Sequence, residues 1–385
     1  MGPLTGVRII EIAGVGAAPY GCMMLADMGA DVVRIERAGG GGGSGDAPER
    51  SPLLRNRRSI ALDLKESSGR GLVLAMTEKA DVLIEAFRPG VAERLGIGPD
   101  VCFARNARLV YGRMTGWGQT GPLAQAAGHD LNYIGLSGLL HQIGPPDGKP
   151  AVPLNVIGDF GGGGLLLAFG VVCALWEARQ SGRGQIVDAA MLDGAVSFMS
   201  MFFGFREQGQ FADRTGSHML GGGAHYYDTY ETKDGLYLAV APIEPQFYRA
   251  FLQKMGLTDD RWLAAGFPAH SAQTVEHEWP ALKLELRALF KRKTRDEWCA
   301  AFVGSDVCVT PVLTLQEAAA HPHNRARNVF VDVDGVEQNA PAPRFSRTAP
   351  AHPRPPPTTG SDRERVLADW GVDLGAAAAA SESKD

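Results

Sequence analysis

Apolar positions in the first 115 residues come in short runs separated by helical patterns. Residues 7–12 form a run of strand length, followed by Gly14-Val15-Gly16 and a helical pattern over 19–28; residues 31–36 are a second strand-length run. The alternation continues with a strand over 60–64, a helix over 67–79, a strand over 82–86, a short helix near Val91 and a strand over 109–114. Strands alternating with helices predict a parallel sheet covered on both faces. Two long apolar helices are predicted next, over 159–178 and 187–205. Near residue 210 the pattern changes. Strand-length runs at 226–230 and 236–240 flank Lys233-Asp234-Gly235, an Asp-Gly hairpin signal, and amphipathic helices follow over 245–255, 280–290 and 294–302. The predicted organisation is a large α/β domain over 1–200, completed by 325–385, and a smaller α+β domain over 215–320. Residues 341–357 are proline-rich and read as an extended linker, 364–370 as a last helix.

Composition narrows the class. At 385 residues with 45% hydrophobic and 21% charged positions, the chain can bury one large core or two smaller ones. The formal charge of −5 argues against nonspecific nucleic-acid binding. No apolar run in the sequence approaches a membrane span, and the first residues lack a signal-peptide pattern. Five scattered cysteines fit reduced thiols in a cytoplasmic protein, without zinc spacing or a disulfide framework.

Several motifs offer candidate chemistry. Strand, Gly14-Val15-Gly16, helix, strand and Glu36 resemble a dinucleotide fingerprint, but Pro19 stands where the third glycine belongs. A tight turn between strand and helix explains the same residues. Residues 39–46 are nearly all glycine and read as a flexible surface loop. Arg34, Arg37, Arg55, Arg57, Arg58, Lys65 and Arg88 concentrate in the first ninety residues, several of them just after predicted strands. That is where ligands of such sheets bind, so an anionic, phosphate-bearing ligand fits.

His129 follows Gly128 and precedes Asp130 at the start of an apolar helical run, where free N–H groups could hold a developing oxyanion. Asp130 reads either as a helix N-cap or as a chemical group whose backbone N–H is the useful part. Asp159 also begins a helix, whose positive end favours its ionised form, and Gly161 to Gly164 leave room for a ligand to approach. Glu244 follows a predicted strand and reads as a helix N-terminal charge. Met191, Met199, Met201 and Met219 are either helix core or an adaptable apolar surface.

These residues, with the 25–35 stretch, Phe87-Arg88-Pro89-Gly90, Gly158-Asp159-Phe160 and Ile243-Glu244-Pro245-Gln246-Phe247, make the sequence resemble the α-methylacyl-CoA racemases of the family III CoA-transferase superfamily. The resemblance runs nearly end to end. It implies a Rossmann-like large domain holding coenzyme A, a smaller domain, and an interlocked homodimer with shared active sites. It implies that His129 and Asp159 act with the partner's Glu244, and that coenzyme A meets Arg37, Leu62, Leu64, Lys65, Arg88, Arg55 and Tyr133. The implied reaction is a 1,1-proton transfer at C2 of a 2-methylacyl-CoA through an enolate, with the Asp130 N–H on its oxygen. Coenzyme A is then part of the substrate, and neither a separate cofactor nor a metal is expected. In the wider superfamily the position of Asp159 is a transferase nucleophile, which leaves a CoA-transferase as the alternative and a nicotinamide-dependent dehydrogenase as a remote third. The glycine run Gly39 to Gly43 departs from the family pattern.

Overall fold

The alternating apolar runs become a six-stranded parallel sheet: β1 (Arg8–Ile12), β2 (Asp31–Arg37), β3 (Arg58–Leu62), β4 (Val82–Glu85), β5 (Val110–Thr115) and β6 (Ile186–Ala190). Its order is β3-β2-β1-β4-β5-β6. The computed structural model describes residues 2–38, 51–146, 148–266 and 276–372. The predicted loop at 39–46, including Gly39 to Gly43, lies outside the described residues.

Successive strand residues point to opposite faces, and both faces are apolar. Ile9, Val32 and Val82 face one core with α1 (Ala17–Asp27); Ile10, Val33 and Ile60 face the other with α2 (Ser67–Thr77). Helix α3 (Asp130–Leu136) follows β5, and a π-helical stretch, Val156–Leu165, runs directly into α4 (Leu166–Ser181). Leu167, Val171 and Ala174 of α4 pack in the core beside α1. Residues 156–181 thus form one helical run of 26 residues that is long and apolar enough to cross a membrane, which corrects the expectation that none exists. In this fold it covers the sheet.

The predicted helix over 187–205 is also corrected. Its first residues are strand β6, at the sheet edge; α5 (Met191–Ser197) follows, and a separate helix spans Ser200–Glu207. The segment is apolar enough for either state, so periodicity alone does not decide it. The hairpin over residues 330–339 and the closing helix belong with the sheet. The contacts divide the chain into a first unit of residues 1–137, 154–198 and 323–385, and a second of 138–153 and 199–322.

The second unit is an α+β body. Antiparallel strands β7 (Asp228–Glu231), β8 (Tyr237–Val240) and β9 (Val309–Pro311) pack with α6 (Pro245–Met255), α7 (Trp279–Phe290) and α8 (Arg295–Phe302). The Asp-Gly turn joins β7 to β8 as the sequence pattern predicts. Its core is aromatic, with Tyr226, Tyr230, Phe251, Trp262 and Phe290 fully buried. His225 is buried among them. The Tyr248 hydroxyl donates to the Trp262 carbonyl at 2.8 Å, so it accepts from His225 Nε2 at 2.7 Å. Burial, assisted by the Lys283 charge, drives the His225 imidazole down to about 3.

In the first unit the chain returns as the hairpin β10 (Phe330–Val333) and β11 (Val336–Asn339), then as α9 (Arg363–Trp370). Val366, Leu367 and Trp370 enter the core formed by Ile10, Val33 and Ile60, and Trp370 Nε1 donates to Asp31 at 2.8 Å. Between them, residues 340–357 run without helix or strand, as the proline-rich pattern predicts.

Candidate active site

A cavity of about 510 Å³ opens in the first unit at the carboxyl ends of β1, β4 and β5. Strand order reverses between β1 and β4, which is where open α/β sheets hold ligands. The turn Val15–Ala17, the loop Ala86–Pro89, the segment Met114–Trp117, Gly128, His129, Tyr133 and Asp159 line it. The structure therefore brings Arg88, His129, Tyr133 and Asp159 to one space.

Gly16, at φ +65°, begins α1, and a Cβ there would lie 3.3 Å from Asp159 Oδ2. This is the tight-turn reading of Gly14-Val15-Gly16, with the turn pressed against a carboxylate. The loop after β4 is fixed by the buried Glu85, which accepts from the Phe87 amide at 2.6 Å and from Arg113 Nε at 3.0 Å. Gln125 Nε2 donates to the Pro89 carbonyl at 3.0 Å, tying the segment before His129 to the same loop. Arg88 is left exposed at the cavity wall.

His129, not Asp130, is the N-cap of α3, and its amide donates to Asn132 Oδ1 at 3.0 Å. Its ring is exposed on the cavity. The Tyr133 hydroxyl donates to the Gly128 carbonyl, and its ring meets Trp117 edge-on at 4.7 Å. Tyr133 thus braces the histidine loop. Asp130 is buried, and its Oδ2 accepts from the amides of Gly158 at 2.6 Å and Asp159 at 2.7 Å. The N-cap expectation for Asp130 is corrected: it caps the next helical segment, not its own.

Asp159 is the fourth residue of the π-helical stretch, and Asn155 Nδ2 donates to its Oδ2 at 3.0 Å. Burial raises the Asp159 carboxyl above its ordinary value; Asn155 lowers it, Asp130 adds to the rise and His129 opposes it. The expectation that a helix end favours the ionised form is overturned by desolvation, the larger effect here. The four glycines after it serve a different end from the one expected. A Cβ on Gly162 would lie 2.9 Å from the Ala195 amide, and one on Gly164 would lie 2.3 Å from the Ala17 carbonyl. They let α1 and α5 close on the π-helical stretch.

Of the expected coenzyme A contacts, Arg37, the last residue of β2, and Lys65, three residues past β3, are exposed at the carboxyl ends of their strands, but neither lines the cavity. Leu62 is buried in the core and Leu64 packs against it, so neither side chain reaches solvent freely. Arg55 is corrected outright. It is fully buried, with Nε donating to Asp27 at 3.0 Å and Nη1 to Gln338 and the Asn339 carbonyl at 2.8 Å each. Arg34 and Arg57 share the buried Glu11, and Arg58 pairs with Asp31 and Asp369. These four arginines hold the fold and are not presented to a ligand. Glu244 belongs to the second unit, exposed at the N-cap of α6. Met191 lines the cavity, whereas Met199, Met201 and Met219 belong to the second unit.

Sequence reasoning missed the Asn155 donor and the Asp130 carboxylate. Asn155 stands four residues before Asp159, a spacing that places two side chains on one helical face, and that signal could have found it.

A Rossmann-like parallel sheet that gathers Arg88, His129, Tyr133 and Asp159 on one cavity at its switch point defines an α/β protein with a ligand site where such folds bind their substrates. The chain belongs to CoA-transferase family III, matched over residues 4–363. It is 42% identical to the α-methylacyl-CoA racemase of Mus musculus over 371 residues, 96% of this chain and 93% of that one. Identity to the α-methylacyl-CoA racemase of Homo sapiens is 38% over the same coverage. The fold matches that of a CAIB/BAIF family protein from Brucella suis with a TM-score of 0.79 and 26% identity, covering 96% of this chain and 99% of that one.

Proposed function

We propose that this chain is a racemase that interconverts the (2R) and (2S) forms of 2-methylacyl-CoA thioesters. The observation that carries the reading is the meeting of His129 and Asp159 on one cavity in a chain so similar, end to end, to two racemases of that name. The thioester acidifies the C2 proton, and binding holds C2 between the two groups. In one direction neutral His129 takes the proton from C2 and protonated Asp159 delivers its own to the opposite face. In the other, the Asp159 carboxylate takes the proton and the imidazolium returns one. The raised Asp159 carboxyl suits a group that must hold a proton in half of the cycle. Between the steps the enolate oxygen sits at the N–H of Asp130. That residue opens α3, and first-turn N–H groups have no acceptor within their helix. Arg37, Lys65 and Arg88 supply positive charge for the phosphates of coenzyme A, which arrives as part of the substrate.

The functional molecule in this reading is an interlocked homodimer, with the partner's Glu244 orienting His129. An exposed apolar stripe on α4 supports a covered face: Phe169 is 65% and Trp176 68% exposed, in line with Leu165 and Val172.

The test uses one enantiomer of a 2-methylacyl-CoA in D₂O without an acceptor acid. Deuterium entering C2 with loss of optical purity is expected. His129→Ala and Asp159→Ala should each slow exchange from one enantiomer more than from the other, by roughly 10²–10⁴-fold for the base removed. Acyl transfer to an added carboxylic acid, with no exchange at C2, would instead make Asp159 a transferase nucleophile.

A further inference from the structure

Asp130 follows His129 in sequence, yet its carboxylate faces the other acid–base group. It is 4% exposed, and Oδ2 receives both the Gly158 and the Asp159 amides. Oδ1 is buried and has no hydrogen-bond partner among the described residues. A Cβ on Gly158 would lie 2.8 Å from Oδ2, so the approach depends on glycine at that position. An asparagine could offer one oxygen to the same two amides without bringing a charge. Burying a carboxylate with one oxygen unpaired is costly, so fold stability alone is a poor account of it. The groups acting on the Asp159 carboxyl are Asn155 at its own helix end and Asp130 and His129 from α3; Tyr133, also on α3, feels the Asp159 charge in turn.

We propose that the Asp130 side chain is a positioning residue of the proton transfer. It pins the Asp159 backbone to the helix that carries His129, and its charge opposes the ionisation of Asp159. One carboxylate then does two things: it joins the two acid–base groups mechanically and sets when the second one gives up its proton. The assignment rests on the proton-transfer reading of this site.

Two variants and two measurements test it. The Asp159 carboxyl is followed by carbon-13 NMR in aspartate-labelled protein, with Asp159→Asn identifying its signal. The pH dependence of deuterium exchange is followed from each enantiomer. In Asp130→Asn, which keeps an acceptor for the amides, Asp159 should titrate at lower pH than in the parent, and the acid limb of exchange should move with it. In Asp130→Ala, which keeps neither acceptor nor charge, kcat should fall about 100-fold with KM little changed. An Asp159 titration that stays in place in folded Asp130→Asn overturns the proposal. So does an equal loss of kcat in both variants with no displacement of the pH profile. Should Asp130→Ala fail to fold, Asp130→Asn decides alone. Should the parent show no exchange at C2, the racemase reading fails, while the NMR titration still judges the coupling of the two carboxyls.

Discussion

Lowering the pH from 7 to 5 should weaken the second unit through one side chain, His225. Folded, its imidazole stays neutral down to about 3 because it is buried beside Tyr248 and Trp262 and feels Lys283. Unfolded, it titrates near the ordinary value of about 6.5. Its folded value is depressed, so below pH 6.5 the unfolded chain binds a proton that the folded chain refuses. Stability from this group is complete above about pH 7, falls as the pH passes through 6.5, and is lost down to about 3. At about 1.4 kcal/mol per pH unit, the loss between pH 7 and pH 5 is about 2 kcal/mol. The comparison is His225→Gln, which can keep a donor near Nε2 for the Tyr248 hydroxyl and does not titrate. Urea unfolding at both pH values, followed by the fluorescence of Trp262, Trp279 and Trp298, gives the difference. The parent should lose about 2 kcal/mol more than the variant on acidification. Parallel losses in the two proteins would refute the reasoning.

Asp159→Asn should raise the melting temperature at pH 7. The raised carboxyl favours the folded state only while protonated, so the stability it gives is lost as pH rises through its folded value. The advantage of the variant should therefore shrink on acidification, as calorimetry at pH 7 and pH 4 would show. Arg55 and Arg88 should separate cleanly: Arg55→Met leaves the buried Asp27 without its ion-pair partner and should cost about 3–5 kcal/mol in urea unfolding. Arg88→Ala should keep the unfolding midpoint and raise KM for the acyl-CoA about tenfold, which steady-state kinetics reads directly. On the proposed homodimer, Trp176→Lys should shift the sedimentation coefficient from dimer to monomer; an unchanged coefficient would remove the α4 stripe as its interface.

The β1–α1–β2 opening is legible in the sequence because its signals are local: strand-length runs, a glycine turn and a helical period lie within thirty residues. Strand β6 is not, because a short apolar strand leading straight into an apolar helix has no boundary in its hydropathy. His129 and Asp159 are legible as residues at helix starts, but their electrostatics are not. The fall in ionisation of Asp159 comes from burial, and the oxygen that grips its amide belongs to a residue 29 positions earlier in the chain. Arg55 shows the same limit. By sequence it stands with Arg37 and Arg88 as one of a basic group; only the fold brings it to Asp27, 28 residues away, and to Gln338, 283 away.

Helix α9 fills the same core as strands made more than 300 residues before it: Trp370 meets Asp31 across 339 positions. On the ribosome, β1 to β5 therefore emerge long before the helix that covers one of their faces. Until residues 363–370 are released, Ile10, Val33 and Ile60 wait with part of their cover missing, an apolar surface that chaperones would recognise. A stop codon just ahead of α9 would spare every residue of the cavity and still leave the sheet that supports it unfinished.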